Sequence, residues 1–124
     1  MKAISVRQPW AYCIMHAGKD VENRTIRTFH RGPILIHASK TLDEDGYLEL
    51  LERGIDLPPE NELPRGCLLG IVEITDCRSQ DLSEWFEGPW GYVLANPMPF
   101  HEPVPFRAMP GIFTVPDGGT YSKP

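Results

Sequence analysis

Turn-forming residues divide this chain into short apolar segments. Its 124 residues include thirteen prolines and eleven glycines, and these fall between the apolar runs. Proline lacks a backbone donor and glycine tolerates left-handed backbone, so both residues interrupt long helices and favour turns. The pattern predicts a mostly β (α+β) fold of short strands with tight connections, and it disfavours a helix bundle. The length fits a single domain.

The order of the predicted elements indicates a small barrel. Alternation and helical spacing predict strands at 3–6, 21–28, 33–38, 66–76, 90–95, 100–106 and 111–115, and helices at 9–17, 41–53 and 82–86. Gly18 ends the first helix, and Thr41 with Glu44 forms a capping box that opens the second. We expect a mostly antiparallel β-barrel with two or three flanking helices. Residues 1–117 would form the domain and 118–124 a loose C-terminal tail.

Charge is distributed unevenly along the chain. The net charge is −5, yet residues 1–40 hold seven Lys or Arg against two acids, and residues 41–124 hold five against fifteen. An acidic total argues against a broad, salt-driven grip on duplex nucleic acid. The basic first third is compatible with a phosphate, a nucleotide or a few bases of single strand. Alternatively, the two halves neutralise each other in the fold.

Several classes of protein are disfavoured by composition. Cys13, Cys67 and Cys77 form no C-x-x-C pair, which is typical of buried thiols in a reducing compartment. The four histidines lack the spacing of metal ligands, so we expect neither a metal nor a cofactor. No apolar run approaches membrane-spanning length, and we therefore expect a cytoplasmic protein without a membrane partner.

Residues 18–24 are the most informative segment for function. Lys19, Glu22 and Arg24 follow a helix end and enter a strand, in which Glu22 and Arg24 share a face about 6.6 Å apart. A cation, a carboxylate and a second cation this close together suit a pocket for a polar, planar ligand. The alternative is a solvated turn with surface ion pairs of little energetic weight.

The sequence resembles the ASCH (activating-signal-cointegrator homology) family of the PUA-like superfamily. The resemblance rests first on SVRQPWA at 5–11, GK at 18–19, VENRT at 21–25, RGP at 31–33 and IHASK at 36–40. The segments GIVEITDC at 70–77, GYVLANP at 91–97 and PVPFR at 103–107 fit as well. The Gln-Pro-Trp and G-K-x-V-E-N-R combination is specific, and the similarity spans nearly the whole chain.

The resemblance implies a PUA-like barrel with a cleft at its mouth for nucleobases, nucleosides or RNA. The chain is similar to small single-domain members of bacterial or phage type. Some of these look like amidohydrolases that remove an acyl group from the 4-amino nitrogen of cytidine, as in N(4)-acetylcytidine. Others are described as RNA-binding modules or weak ribonucleases. The amidohydrolase motif is G-x-K-x-x-T-x-R, with its lysine and threonine catalytic. Here Lys19 and Arg24 keep the motif's spacing, and Glu22 replaces its threonine.

The resemblance and the residue chemistry together predict a catalytic group of Lys19, Glu22 and Thr25. Lys19 would act as a base or polarise a carbonyl, and Glu22 would activate water or hold the lysine. Thr25 offers a hydroxyl nucleophile, although on an ideal strand it points away from Glu22. We expect Lys19 and Glu22 at the rim of the cleft and not in the core.

A second group of residues is predicted to bind substrate. Arg7 and Arg24 would bind a carbonyl or phosphate, Trp10 would stack on a base or belong to the core, and Ser39 with Lys40 would form an oxygen-binding corner. The full set is Arg7, Gln8, Trp10, Arg24, Ser39, Lys40 and Glu73. The expected partners are a nucleoside or modified cytosine, or single-stranded RNA, bound by a monomer or weak dimer.

Overall fold

Within residues 1–116, six strands form one sheet, and two α-helices flank it. The structure is a computed structural model that describes residues 1–116, so the predicted tail at 118–124 lies outside the described residues. The elements are β1 (Lys2–Gln8), α1 (Trp10–His16), β2 (Val21–Arg24), β3 (Gly32–Leu42), α2 (Glu44–Glu52), a 3₁₀ turn (Glu60–Glu62), β4 (Cys67–Arg78), β5 (Trp90–Pro105) and β6 (Ile112–Thr114). The predicted mostly β fold is confirmed. Within residues 1–116, no helix has the length and apolar character needed to cross a membrane.

The sheet curls until β2 approaches β1. Its order is β2-β5-β4-β3-β1-β6, and every pair is antiparallel except β1 with β3. Three strands separate β1 from β2 in that order, yet Arg24 of β2 donates a hydrogen bond of 2.6 Å to the backbone oxygen of Ser5 in β1. This contact joins two distant parts of the sheet and gives it a barrel-like form. We call it the β1–β2 closure.

Alternation along the strands divides the apolar side chains between two faces of the sheet. Ile4 of β1 packs in one cluster with Ile14 of α1, whereas its neighbour Ala3 packs in another with Phe113 of β6. A third cluster joins α1, β2, α2 and the loop at 79–89 through Cys13, Val21, Leu50 and Trp85. All three cysteines are buried, as predicted. The third cluster packs behind the candidate site described below, because Trp85 belongs to both.

Several predicted boundaries were wrong. Gly18 does follow α1 with a left-handed φ of 74°, but α2 has Asp43 as its N-cap, because the Asp43 side chain accepts from the Gly46 N–H. Thr41 instead continues β3, so the predicted capping box does not form. The strand that begins at Val21 ends at Arg24, not at 28.

Two further differences concern the second half of the chain. The strands predicted at 90–95 and 100–106 are one strand, β5. Its continuation is possible because Asn96 takes a left-handed φ of 54° and the register against β4 shifts. Such irregularities bend a strand without ending it. The helix predicted at 82–86 does not form: this segment is a loop with a turn at Glu84 and Trp85.

Candidate functional site

A cleft of about 490 Å³ opens where the start of α1, the strand β2 and the loop at 79–89 meet. Six of the ten predicted site residues line it: Arg7, Trp10, Lys19, Glu22, Arg24 and Thr25. Thr25 does so because β2 has already ended at Arg24, so the alternation of an ideal strand no longer applies to it. The cleft volume is within the range of pockets that hold small ligands.

Lys19 is the most enclosed cation of the cleft. Lys19 is 5% exposed, and its Nζ donates to the Val21 backbone oxygen at 2.6 Å. The same Nζ lies 3.8 Å from Glu22 Oε1. It also lies 5.5 Å from the ring centroid of Trp10 and 5.6 Å from that of Trp85, within the range of cation–π attraction. The ammonium group therefore lies within reach of two indole rings and a carboxylate.

Burial changes the acid–base properties around Lys19. It lowers the pKa of Lys19 below the ordinary value of 10.5, and the negative charge of Glu22 is the largest opposing influence. Burial also raises the pKa of the nearby Cys13 thiol to about 11, so this thiol stays protonated at neutral pH. The expectation that Lys19 and Glu22 lie at a rim was wrong, because both are buried.

Glu22 is fixed by Arg24. Its Oε2 accepts from Arg24 Nε at 2.9 Å and lies 2.8 Å from Arg24 Nη2. The predicted shared face of these two residues is therefore confirmed. Because Nη2 also bonds to Ser5 O, much of the guanidinium is occupied within the protein. Among the hydrogen bonds of residues 1–116, none uses Arg24 Nη1, which leaves that group for a ligand.

Trp10 is held as a wall of the cleft by the start of α2. Its Nε1 donates to Asp43 Oδ2 at 2.9 Å, while Asp43 Oδ1 accepts from the Gly46 N–H at 2.9 Å. Hydrogen bonding from Trp10 is the main cause of a lowered pKa of Asp43. The sequence analysis missed Asp43, because the helix start was assigned to Thr41.

Gly46 is the position in α2 at which a side chain would disturb this wall. A Cβ there would lie 2.7 Å from the Trp10 ring and 2.8 Å from Asp43 Oδ2. We expect Gly46→Ala to lower the free energy of unfolding by about 1–2 kcal/mol, although alanine normally favours a helix interior. Urea unfolding measures the change. Glu52→Ala, at an exposed position of the same helix, is the control, and a Gly46→Ala variant as stable as this control would contradict the packing argument.

The opposite wall belongs to the loop at 79–89, which carries Trp85. Asn23 of β2 holds this loop: its Nδ2 donates to Trp85 O at 2.9 Å, and its Oδ1 accepts from the N–H groups of Glu87 and Gly88 at 2.8 and 3.0 Å. Ser83 adds a hydrogen bond to Asp20. Neither Trp85 nor the role of Asn23 was predicted, because these contacts span more than sixty residues of sequence.

Four predicted binding residues do not line the cleft: Gln8, Ser39, Lys40 and Glu73. Gln8 is fully buried, and its amide donates to Pro64 O and accepts from the Tyr12 N–H. Both polar atoms of this side chain thus have partners within the protein. Ser39 and Lys40 lie in β3 and Glu73 in β4, away from the cleft. Within residues 1–116, no group of three His, Cys, Asp or Glu is arranged to hold a metal ion.

Comparison with known proteins identifies the family of this chain. The model of the ASCH domain family matches residues 4–103, a range that includes every residue lining the cleft. The chain belongs to the ASCH domain family. Activating signal cointegrator 1 from Homo sapiens is 32% identical and the protein of the same name from Mus musculus is 33% identical, each across 89% of this chain. The matched region is 21% of each relative, so this ASCH domain spans about a fifth of their length.

Proposed function

We propose that this ASCH domain is a metal-independent amidohydrolase that removes an acyl group from the 4-amino nitrogen of a cytosine base or nucleoside. The observation that carries the proposal is Lys19, a buried lysine with a lowered pKa, held beside Glu22 inside the cleft. Buried ionisable groups with shifted pKa values are concentrated at catalytic sites, because proton transfer needs a pKa near the working pH.

The walls of the cleft suit a planar base. Trp10 and Trp85 both line the cleft next to Lys19, and indole rings stack well on bases. Arg7 lines the cleft with a side chain that is 58% exposed and lies 4.0 Å from Asp43. Arg7 and the Nη1 group of Arg24 would donate to a substrate carbonyl or phosphate, and would stabilise the oxyanion that forms during attack.

The proposed reaction is hydrolysis of an amide. Neutral Lys19 takes a proton from water as the water oxygen forms a bond to the acyl carbon, and the resulting lysine ammonium then gives a proton to the leaving 4-amino nitrogen. The C–N bond breaks, and the products are a carboxylic acid and cytosine with its free amine. Glu22 orients Lys19 and the water throughout. Thr25 is the alternative nucleophile, forming an acyl ester that water then hydrolyses.

The direct test is turnover of N(4)-acetylcytidine by the purified chain in the presence of a chelator. We expect cytidine to appear, detected by its absorbance, at a rate unaffected by the chelator. Benzoyl and larger acyl groups are tested in parallel, because nothing in the cleft fixes the size of the acyl group. Absence of turnover on every acyl group would overturn the proposal.

The pH dependence of turnover should report the state of Lys19. Only the neutral amine accepts a proton, and its pKa lies below 10.5. We therefore expect kcat/KM to rise about tenfold per pH unit on the acid side of this pKa and to become constant above it. Lys19→Arg is the matched variant, since its guanidinium keeps the charge and does not deprotonate. A rising limb that survives in Lys19→Arg would contradict the role of Lys19 as the base.

A second candidate function is RNA binding without amide chemistry, or RNA cleavage. It is favoured by the seven basic residues among the first forty. Cleavage by this chain should disappear in Lys19→Ala, whereas cleavage by a contaminating nuclease would not.

A further inference from the structure

The loop at 25–31, between β2 and β3, exposes large apolar side chains beside the cleft. Phe29 is 78% exposed and Ile26 is 73% exposed. Single exposed apolar residues are common, but two of them in one short loop next to a concave site are a feature of binding surfaces. We call residues 25–31 together with Trp90 the aromatic loop surface.

Hydrogen bonds of the loop backbone keep Ile26 and Phe29 exposed. Tyr92 donates its hydroxyl to Ile26 O at 2.6 Å. Thr28 accepts from the His30 N–H at 3.1 Å, and Arg31 donates to Thr28 O at 3.1 Å. These bonds hold the backbone at both ends of the loop, so Phe29 is presented to solvent by a fixed scaffold.

Arg27 gives this surface a cation whose N–H donors have no protein acceptor within residues 1–116. Its guanidinium carbon lies 5.0 Å from the Phe29 ring centroid and 5.4 Å from that of Trp90. Across residues 1–116, Arg27 makes no hydrogen bond or ion pair, whereas Arg24 pairs with Glu22 and Arg31 with Asp76. A guanidinium held between two aromatic rings, with its donors unused, is suited to a phosphate.

The surface continues directly from the cleft. Arg24 and Thr25 line the cleft, and Arg24 pairs across β2 and β5 with Trp90. Residues 23–42 contain four Lys or Arg and no acid, so this part of the chain attracts anions. If a polymer places one of its residues in the cleft, its neighbouring residues would therefore contact Arg27 and Phe29.

We infer that the aromatic loop surface, through Arg27 and Phe29, binds the nucleotide next to the base that the cleft holds when the ligand is a single-stranded nucleic acid. Alternating aromatic and basic groups bind single strands by stacking on bases and pairing with phosphates, without reading sequence. The inference rests on the proposed function only in that the cleft receives a base. It extends that function by assigning Arg27 and Phe29 to the neighbouring nucleotide of a polymeric ligand, outside the cleft itself.

Fluorescence anisotropy with short labelled oligonucleotides tests the inference. RNA and DNA of the same sequence, with cytidine at the centre, form the two arms, because both offer bases and phosphates. We expect Phe29→Ala to weaken binding by at least about fivefold, as for loss of one stacked base. Arg27→Ala should reduce the slope of log K against log salt by about 0.7, which corresponds to one phosphate contact on a single strand.

Matched controls use exposed residues away from the surface. Leu48→Ala removes an exposed apolar side chain on α2, and Arg65→Ala removes one positive charge outside the cleft. Both should bind like the unaltered chain. Thermal melts confirm folding, which should hold because Arg27 and Phe29 are exposed.

The outcomes separate this inference from the proposed function. Absence of oligonucleotide binding, or equal affinity in Phe29→Ala, Arg27→Ala and the controls, overturns the inference even if N(4)-acetylcytidine is hydrolysed. Binding that depends on Phe29 and Arg27 without turnover of any acylated cytosine supports the inference and overturns the amidohydrolase. An acidic peptide that binds through Phe29 and Arg27 when oligonucleotides do not would assign the surface to a protein partner, and would also overturn the inference.

Discussion

Replacing either Lys19 or Glu22 by alanine is expected to lower turnover of N(4)-acetylcytidine by about a hundredfold or more, the range of general acid–base catalysis. The two side chains lie 3.8 Å apart, and in the proposed reaction they act as a unit, because Lys19 moves the proton and Glu22 orients Lys19 and the water. Removing both should therefore cost little more than removing either. A double-mutant cycle on kcat measures the coupling.

Folding must be followed in the same cycle, because both residues are buried. Glu22→Ala leaves Lys19 without its carboxylate and removes a partner of Arg24, which destabilises the fold. Glu22→Gln and Lys19→Met keep the shape of each side chain and are the matched variants. Strictly additive losses, or full activity in a folded Lys19→Ala variant, would place the chemistry elsewhere.

Asn23→Ala is expected to have the largest effect on the structure of the cleft. Asn23 makes three hydrogen bonds to the loop at 79–89, to Trp85 O and to the N–H groups of Glu87 and Gly88. At about 1 kcal/mol each, their loss should lower the free energy of unfolding by about 2–3 kcal/mol. The loop then no longer holds the Trp85 ring against Lys19. Urea unfolding and tryptophan fluorescence measure the two effects.

Asn61→Ala is the matched control, since Asn61 is exposed in the 3₁₀ turn and lies outside the cleft. Ser83→Ala removes a contact of the same loop with Asp20, and should cost less because that contact is exposed. If Asn23→Ala were as stable as Asn61→Ala, the loop would be held by the packing of Trp85 alone.

Local contacts were predictable from the sequence. Lys19, Glu22 and Arg24 lie within six residues, so the end of a helix and the alternation of one strand bring them together without knowledge of the fold. The mostly β class followed from the distribution of prolines and glycines, which limits the length of each element. The family motifs added the expectation of a cleft at the same place.

Contacts between distant segments were not predictable in this way. Asp43 and Trp85 complete the cleft from α2 and from the loop at 79–89, and their positions depend on how the sheet curls. Gln8 shows the opposite error: it is adjacent to the cleft in sequence, but a buried amide satisfies its own hydrogen bonds first. The continuity of β5 through Pro97 and Pro99 was missed because prolines usually end a strand.

At the β1–β2 closure, the Arg24 guanidinium makes two different contacts at once. Arg24 holds the Glu22 carboxylate and, through the same Nη2 atom, the backbone of Ser5. If β1 and β2 separate at this contact, Arg24 no longer fixes the orientation of the Glu22 carboxylate. The proposed reaction would therefore require the β1–β2 closure to be intact, because only then does Arg24 hold the Glu22 carboxylate beside Lys19. A ligand that binds Arg24 would stabilise the β1–β2 closure, and would make the domain more rigid without contacting its core.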